Sequence, residues 1–441
     1  MNARQIAYKV LYDIQKNKSY SNISINKHFN NYDIKDIDRG LATELIYGVV
    51  ENQIYIDYII DKLSKIKVKK MNDSVITVLR MGVYQIVFLE NIAQYSAVDE
   101  SVKLVKKYDF RSSGFVNAIL RNVIRQKDEI TKIKEKNKIK KLSIKYSYNE
   151  WIVKNWADKF GIEFCEELLE ENSHKPKLYI RTNTLKISRD ELISKLENMN
   201  VTCNKVKGFE EAIEVKNLKQ IQNNKLFKDG LFTIQDLSSM LVAKVANPNE
   251  NSLVLDICSA PGGKTTHMAT LMKNTGKVIA RDIFAHKVKL IEDSVKRLGL
   301  KNVEAQEYDA TKFDNKNVDK FDYVICDVPC SGFGIVRRKP EIKYKNYEEI
   351  KDLPIVQKNI LNNASKYLKV GGTLVYSTCT IQSEEDENII EEFLKENKNY
   401  KLDKIDSIDI DLEQQDTGMI KIFPNIHSMD GFFIAKLVRF Q

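Results

Sequence analysis

From about Ser252 to the C-terminus, short apolar runs of strand length alternate with amphipathic helical stretches, and this alternation restricts the fold more than any other feature. The runs are SLVLDI, KVIARD, NVEAQE, FDYVICD and GTLVYST. Strands separated by helices pair in parallel through right-handed crossovers, which predicts a doubly wound α/β sheet. Near the end, MIKIF and GFFIAKLV are expected to pair as an antiparallel addition to its edge.

A chain of 441 residues is too long for one ordinary core and implies two to four domains. Residues 1 to about 126 read as helical. Ala7, Val10, Leu11 and Ile14 fall at helical spacing, as do Val116, Ile119, Leu120 and Val123, and proline is absent until Pro176. The lysine-dense run from Lys127 to Lys145 reads as a solvated helix or a linker, with a domain boundary in or just after it. From Trp151 to about Gln235 the pattern mixes helix and strand, a small α+β unit. KLYIRTNTL reads as a strand, and Ser188 with Glu191 forms a capping box that opens the next helix. The expected division is 1–140, 141–235 and 236–441.

The formal charge of +9 is unevenly placed. Residues 1–147 hold 27 lysines and arginines against 16 acids, so the basic excess lies entirely in the N-terminal third. Clustered cations suit phosphate, and nucleic-acid contact is expected there, with a merely solvated basic face as the alternative. No apolar stretch reaches the ~18 residues of a membrane span, and the first residues have no signal-peptide core. The six cysteines (Cys165, Cys203, Cys258, Cys326, Cys330 and Cys379) form no CxxC pair. That argues against a disulfide framework and a zinc site, and a cytoplasmic location with no metal is expected.

SLVLDI runs into CSAPGGKTTHMATLM, a strand, a glycine turn and a helix. Gly262 and Gly263 let a ligand approach the backbone at the strand's carboxyl end. Asp282, twenty positions after Gly262, stands where nucleoside-binding folds place a carboxylate for ribose. A phosphate loop would need glycine where Cys258 stands, and a dinucleotide fingerprint would need a third glycine. S-adenosylmethionine, a nucleoside cofactor without a pyrophosphate, fits better; a dinucleotide or a purely structural turn stays open from this loop alone.

FDYVICD delivers Asp327-Val328-Pro329-Cys330, and GTLVYS delivers Thr378-Cys379-Thr380, both just past carboxyl ends of strands. A lone cysteine usually packs as a small hydrophobe, the reading for Cys165, Cys203 and Cys326. Cys330 and Cys379 differ, because each lies in a turn of small polar residues. C5 of cytosine is a poor nucleophile. A thiolate adding to C6 makes the ring enamine-like and C5 reactive. A thiol's ordinary pKa near ~8.5 leaves little thiolate at neutral pH, so the site must lower it or take the proton. Asp327 is placed to bind the ring N3 or the exocyclic amine, and the base must be flipped or single-stranded to arrive.

LDICSAPGGKT, DVPCSGFG, YSTCT and the terminal GFFIAKL, in that order, resemble the RNA 5-methylcytosine methyltransferases of the NOL1/NOP2/Sun family, with QDLSSML as a lead-in. The resemblance implies a Rossmann-like class I methyltransferase domain. It implies Cys379 as nucleophile, Cys330 as the second cysteine that assists release, and catalytic Asp327. Cys258, Ser259, Ala260, Pro261, Gly262, Gly263 and Lys264, with Asp282, Lys287, Asp309 and Asp327, would contact S-adenosylmethionine. Lys264 has two readings, a base-orienting cation and an ordinary lysine at a helix start. Ser259 and Val328 stand where alanine is commoner in the family.

AVDESVKLVKKY and SGFVNAILRNVIRQ resemble the all-α NusB RNA-binding domain, and the middle segment resembles the small α+β domain of these enzymes. That layout implies 16S rRNA or a small-subunit precursor as substrate, cytosine 967 (rRNA numbering) as target, and a monomeric enzyme. The competing readings are the same chemistry on tRNA or large-subunit rRNA, and a non-catalytic RNA-binding assembly factor that retains the fold.

Overall fold

The computed structural model describes residues 1–17, 21–32, 35–408, 410, 412 and 415–441. The chain divides into two compact units, Met1–His174 with Val336–Tyr347, and Lys175–Ile335 with Glu348–Gln441.

The first unit is helical. Its main helices are Ala3–Asn17, Asp36–Glu51, Gln53–Leu63, Asp73–Phe88, Gln94–Tyr108 and Ser113–Arg125. Their apolar stripes meet in one core, in which Ala7, Val10, Leu11, Val116, Ile119, Leu120 and Val123 are buried as their spacing predicts, while Ile14 packs at its margin. Helix Asp73–Phe88 is buried over most of its length, including Arg80. That guanidinium is compensated by two bonds to the Asp57 carboxylate, at 2.8 and 2.7 Å.

The lysine run continues this unit through helix Lys138–Tyr146 and the pair Glu150–Phe160 and Ile162–Glu171. Val336–Tyr347 is stitched into the same unit. The Glu341 carboxylate accepts from Ser21 N at 2.7 Å, at the start of helix Ser21–Asn31. The Lys343 ammonium donates to the carbonyls of Glu51 and Tyr146, both at 3.2 Å, at two helix C-termini. Burial pushes the Lys343 amine down to about 8.

The second unit holds two sheets. In the smaller, β1 (Leu178–Thr182), β2 (Thr202–Val206), β3 (Phe209–Lys216) and β4 (Phe232–Ile234) are antiparallel in the order β2-β3-β1-β4. The predicted capping box forms, with both the Ser188 and the Glu191 side chains closing on backbone N–H groups, a contribution of about 1 kcal/mol.

The larger sheet contains β5 (Leu253–Asp256), β6 (Lys277–Asp282), β7 (Val303–Glu307), β8 (Phe321–Asp327), β9 (Leu368–Thr378), β10 (Tyr400–Leu402), β11 (Met419–Ile422) and β12 (Phe432–Arg439). Its order is β10-β12-β9-β8-β5-β6-β7, with β11 also on β12. Strands β5 to β9 run parallel, and β10, β11 and β9 each pair antiparallel with β12. All five predicted parallel strands are present, and MIKIF and GFFIAKLV pair with each other as expected. The chain leaves β5 toward β6 and returns on its other side as β8. This reversal opens a crevice at the carboxyl ends of β5 and β8. Among the described residues, no helix is long and apolar enough to cross a membrane.

Candidate active site

The turn after β5 is built on Gly262, whose φ of +95° suits glycine. Gly262 N donates to Ser259 O at 2.7 Å, and Ser259 uses N (2.8 Å) and Oγ (3.0 Å) to reach Arg281 O on β6. Cys258 and Ala260 are half-buried, and Pro261 follows a cis peptide. Helix Gly263–Leu271 then begins, and its Thr265 Oγ1 donates at 2.6 Å to Asp256, the fully buried last residue of β5. Burial without a cation in contact pushes the Asp256 carboxyl up to about 7. Asp256 was not among the predicted site residues, since an aspartate at a strand end has the same pattern whether it turns in or out.

Asp282 ends β6 with its carboxylate buried, accepting from Phe284 N at 3.2 Å with Lys287 Nζ at 4.0 Å. Ile283 and Phe284 beside it are half exposed, at 49% and 48%, an apolar surface adjoining a carboxylate. Asp309, on the loop after β7, accepts from Thr311 N and Oγ1 at 3.0 and 2.7 Å. These bonds hold its carboxyl below the usual carboxylate range.

At the end of β8, Asp327 is gripped from two sides. Lys264 Nζ lies 2.7 Å from Oδ2, and Ser377 Oγ donates to Oδ1 at 2.8 Å. Desolvation opposes the Lys264 charge, but the Asp327 carboxylate outweighs it, and the lysine is raised above its ordinary value. The Lys264 ammonium is turned inward onto Asp327, with the side chain only 13% exposed.

The two cysteines predicted from the strand ends meet. Cys330 Sγ lies 3.3 Å from Cys379 Sγ. The turns carrying them are tied together, because Ser331 Oγ and Thr380 Oγ1 bond at 2.8 Å, and Gly334 N donates to Cys379 O at 2.9 Å. A Cβ on Gly334 would stand 2.9 Å from Cys379 O and 1.9 Å from Gly431 O, so only glycine lets the Cys330 turn close onto the Cys379 turn and the start of β12. The bond to Cys379 and burial both push the Cys330 thiol well up, which keeps it protonated. By contrast Cys165 and Cys326 are buried hydrophobes, as expected.

The sheet order, the loop after β5 and the polar cluster at the carboxyl ends of β8 and β9 are those of a Rossmann-like methyltransferase domain. Residues 243–438 match the family "16S rRNA methyltransferase RsmB/F", residues 1–125 match the NusB family, and residues 148–222 match the ferredoxin-like domain of RsmF/B-like methyltransferases. The chain is 36% identical to the "Probable ribosomal RNA small subunit methyltransferase B" of Bacillus subtilis, over 99% of this chain and 98% of that one. It is 29% identical to the "Ribosomal RNA small subunit methyltransferase B" of Shewanella oneidensis, over 100% and 99%. Among solved structures, the protein PH0851 is similar with a TM-score of 0.84 and 25% identity, over 100% of this chain and 99% of that one. NSun6 from Pyrococcus horikoshii, solved with SFG, is similar at a TM-score of 0.60 and 25% identity, over 66% and 97%.

The chain therefore belongs to the RsmB/F family of rRNA methyltransferases, and it is an RNA methyltransferase.

Proposed function

We propose that this enzyme transfers a methyl group from S-adenosylmethionine to C5 of a cytosine in 16S ribosomal RNA, cytosine 967 in rRNA numbering, with Cys379 as the nucleophile. The observation that carries the reading is the pair of cysteine sulfurs 3.3 Å apart, next to an aspartate held by a lysine at the crevice between β5 and β8. The names of the small-subunit rRNA methyltransferases similar over the whole chain support the substrate. Residues 1–140 would capture RNA, 141–235 would link, and 236–441 would carry the chemistry.

The residues present fit the cofactor. The turn at Gly262 takes a φ of +95° that brings the half-buried backbone of Ala260 and Gly263 to the strand end, and Asp282 with the exposed faces of Ile283 and Phe284 offers a carboxylate beside an apolar platform. Cys258 to Lys264, Asp282, Lys287 and Asp309 would hold it, and NSun6 was solved with SFG, an analogue of it. When bound, S-adenosylmethionine supplies the electrophilic methyl group.

The chain's own residues do the rest. Asp327, fixed by Lys264 and Ser377, accepts from the cytosine's exocyclic amine or from N3 once protonated, which orients C6 and stabilises the adduct. The Cys379 thiol gives up its proton to a base, its sulfur forms a C–S bond to C6, and the C5=C6 pair shifts through C4 to N3, which takes up a proton. The Cys330 thiol, pushed well up by its bond to Cys379 and by burial, stands 3.3 Å from that sulfur before attack. After C5 is methylated, a base removes the C5 proton, the C–S bond breaks and the sulfur leaves with its electron pair. Cys330 is the thiol beside the departing sulfur and assists release.

The test is methyl transfer from labelled S-adenosylmethionine to 16S rRNA by the wild type, Cys379→Ala and Cys330→Ala. A dead Cys379→Ala and a denaturation-resistant protein–RNA adduct in Cys330→Ala are expected. Methylation by Cys379→Ala would overturn the nucleophile assignment.

A further inference from the structure

One buried carboxylate close to the cysteines has no part in the mechanism above. Glu385 follows Cys379 by six residues, in an acidic stretch, yet it is only 2% exposed. Its Oε2 accepts from Ser331 N at 2.8 Å and from Gln357 Nε2 at 2.9 Å. The same Gln357 nitrogen donates to Pro329 O at 2.9 Å, and Gln357 is fully buried. The peptide groups on both sides of Cys330 are therefore held, one by Glu385 directly and the other through Gln357. Glu385 is itself anchored, because Tyr376 OH on β9 donates to its carbonyl at 2.6 Å. Tyr376 also lies two positions before Thr378, the residue preceding Cys379, so the clamp and the nucleophile hang from one strand.

Both donors to Oε2 are N–H groups that can only donate there, so the oxygen acts purely as an acceptor. A buried peptide N–H needs such a partner, and removing it costs the full desolvation of that group. The Cys330 turn contains Gly332 at φ +80° and continues into Gly334, so it has little stiffness of its own. The clamp adds to the Ser331–Thr380 and Gly334–Cys379 bonds, which hold the turn beyond Cys330, by fixing the two peptides that flank the cysteine itself.

We propose that Glu385 is a positioning residue for the second cysteine: with Gln357 it fixes the peptide on both sides of Cys330, so that this thiol stands against Cys379 when the methylated base is released. The proposal rests on the two-cysteine reading above. Cys379 is carried by β9 and its partners, so the clamp governs release more than attack.

The experiment measures adduct formation and adduct decay separately, with 16S rRNA and labelled S-adenosylmethionine. The proteins are the wild type, Glu385→Ala, Glu385→Gln, Gln357→Leu, Cys330→Ala and the double variant Glu385→Ala/Cys330→Ala. Glu385→Ala is expected to form the adduct within about twofold of the wild-type rate and to release it about ten- to a hundredfold more slowly, the loss expected for one charge-assisted bond. Glu385→Gln keeps an acceptor oxygen in place and restores most of the release rate. Gln357→Leu slows release in the same direction, and serves if Glu385→Ala fails to fold. In the double variant the slowing equals that of Cys330→Ala alone, because the clamp acts through that thiol. Release at the wild-type rate in both Glu385→Ala and Gln357→Leu, or additive slowing in the double variant, would overturn the proposal. If Cys330→Ala itself traps no adduct, the reading of the second cysteine fails first, independently of Glu385.

Discussion

Cys330 Sγ and Cys379 Sγ stand 3.3 Å apart although 49 residues separate them, and the turns that carry them close on each other through Gly334. Two thiols so close are competent to oxidise. A two-electron oxidant such as hydrogen peroxide should join the sulfurs, with both thiol protons passing to the water formed. Shortening the separation to the ~2.05 Å of a disulfide needs only a small movement of either turn. Peroxide treatment is therefore expected to abolish methyl transfer, and dithiothreitol to restore it. Mass analysis should find one peptide pair linked through Cys330 and Cys379. Activity that survives oxidation, with both thiols still alkylatable, would mean that the turns hold the sulfurs apart in solution.

The Lys264–Asp327 pair leads to a second expectation. Asp327→Asn keeps the shape and the bond from Ser377 but removes the charge that offsets Lys264 and that, in the proposed mechanism, receives the base. Adduct formation in a Cys330→Ala background should fall about a hundredfold, the scale of losing one aimed polar group at a reacting centre. S-adenosylmethionine affinity, measured by calorimetry, should move far less. An equal loss of cofactor affinity would place Asp327 chiefly in cofactor binding.

Arg181 gives a third. On β1, and 2% exposed, it donates from Nη1 to Gly263 O at 2.8 Å and to Gln235 Oε1, and from Nη2 to Thr266 Oγ1 at 3.0 Å. The first turn of the helix that follows the glycine loop is thus held by the small antiparallel sheet. Arg181→Lys cannot reproduce the fork. S-adenosylmethionine binding should weaken about tenfold with the fold retained, checked by calorimetry and circular dichroism.

Much of this was legible in the sequence. The five parallel strands declared themselves as apolar runs between helices, and the capping box was fixed by Ser188 and Glu191 alone. The glycine loop, Asp282, Asp327 and both cysteines could be placed because each lies at or shortly past the carboxyl end of a strand. The clamp and the brace could not. Glu385 sits in SEEDEN, which has the pattern of a solvated helix start, and its burial depends on Gln357, 28 residues earlier. Arg181 in KLYIRTNTL alternates like any strand residue, and its acceptor Gly263 is 82 positions away. Lys343 in RRKPEIKYK reads as part of an exposed basic loop, yet it is 3% exposed because it closes two helix ends. Local pattern reports which face a residue prefers. It does not report which distant partner makes burying a charge tolerable.

Acid stability should expose His267. Burial first, and then the Arg181 charge, lower its imidazole from 6.5 to about 4. Between those values the unfolded chain takes up the proton more readily, so stability falls as the pH drops from about 6.5 to about 4, by about 3 kcal/mol at most. For Glu211, burial is outweighed by the His267 bond and by the His267 and Lys244 charges, which hold it at about 2 against 4.5, so its contribution is lost below about 4.5. Asp256 works in the opposite sense. Raised from 3.8 to about 7, it favours the folded state at the acid end of that window and loses the contribution as pH rises through it. The urea midpoint of His267→Gln relative to that of the wild type should therefore rise as the pH is lowered from about 7 to about 4, whatever the net slope that Asp256 and the other groups give both proteins. Parallel slopes would show that His267 is not the group that titrates.

The lysine run offers a test with internal controls. Lys134, Lys140 and Lys145 are already paired, with Glu129 at 3.1 Å, Glu135 at 2.8 Å and Glu166 at 3.0 Å. Lys132, Lys136, Lys138 and Lys141 have no ion-pair partner among the described residues. A lysine committed to a carboxylate must give up that pairing to bind phosphate, whereas an unpaired one exchanges only its counterions. Reversing the four unpaired lysines to glutamate should weaken RNA binding and flatten its dependence on salt, by about 0.7 in the log–log slope for each phosphate that is no longer neutralised. Reversing Lys134, Lys140 and Lys145 should weaken binding less, since each of these charges is already partly neutralised by its acid. Filter binding of 16S rRNA fragments between low and physiological salt separates the sets. Equal slopes for both variants and the wild type would make Lys127 to Lys145 a structural connector, and would move phosphate binding to other cations of the N-terminal helices.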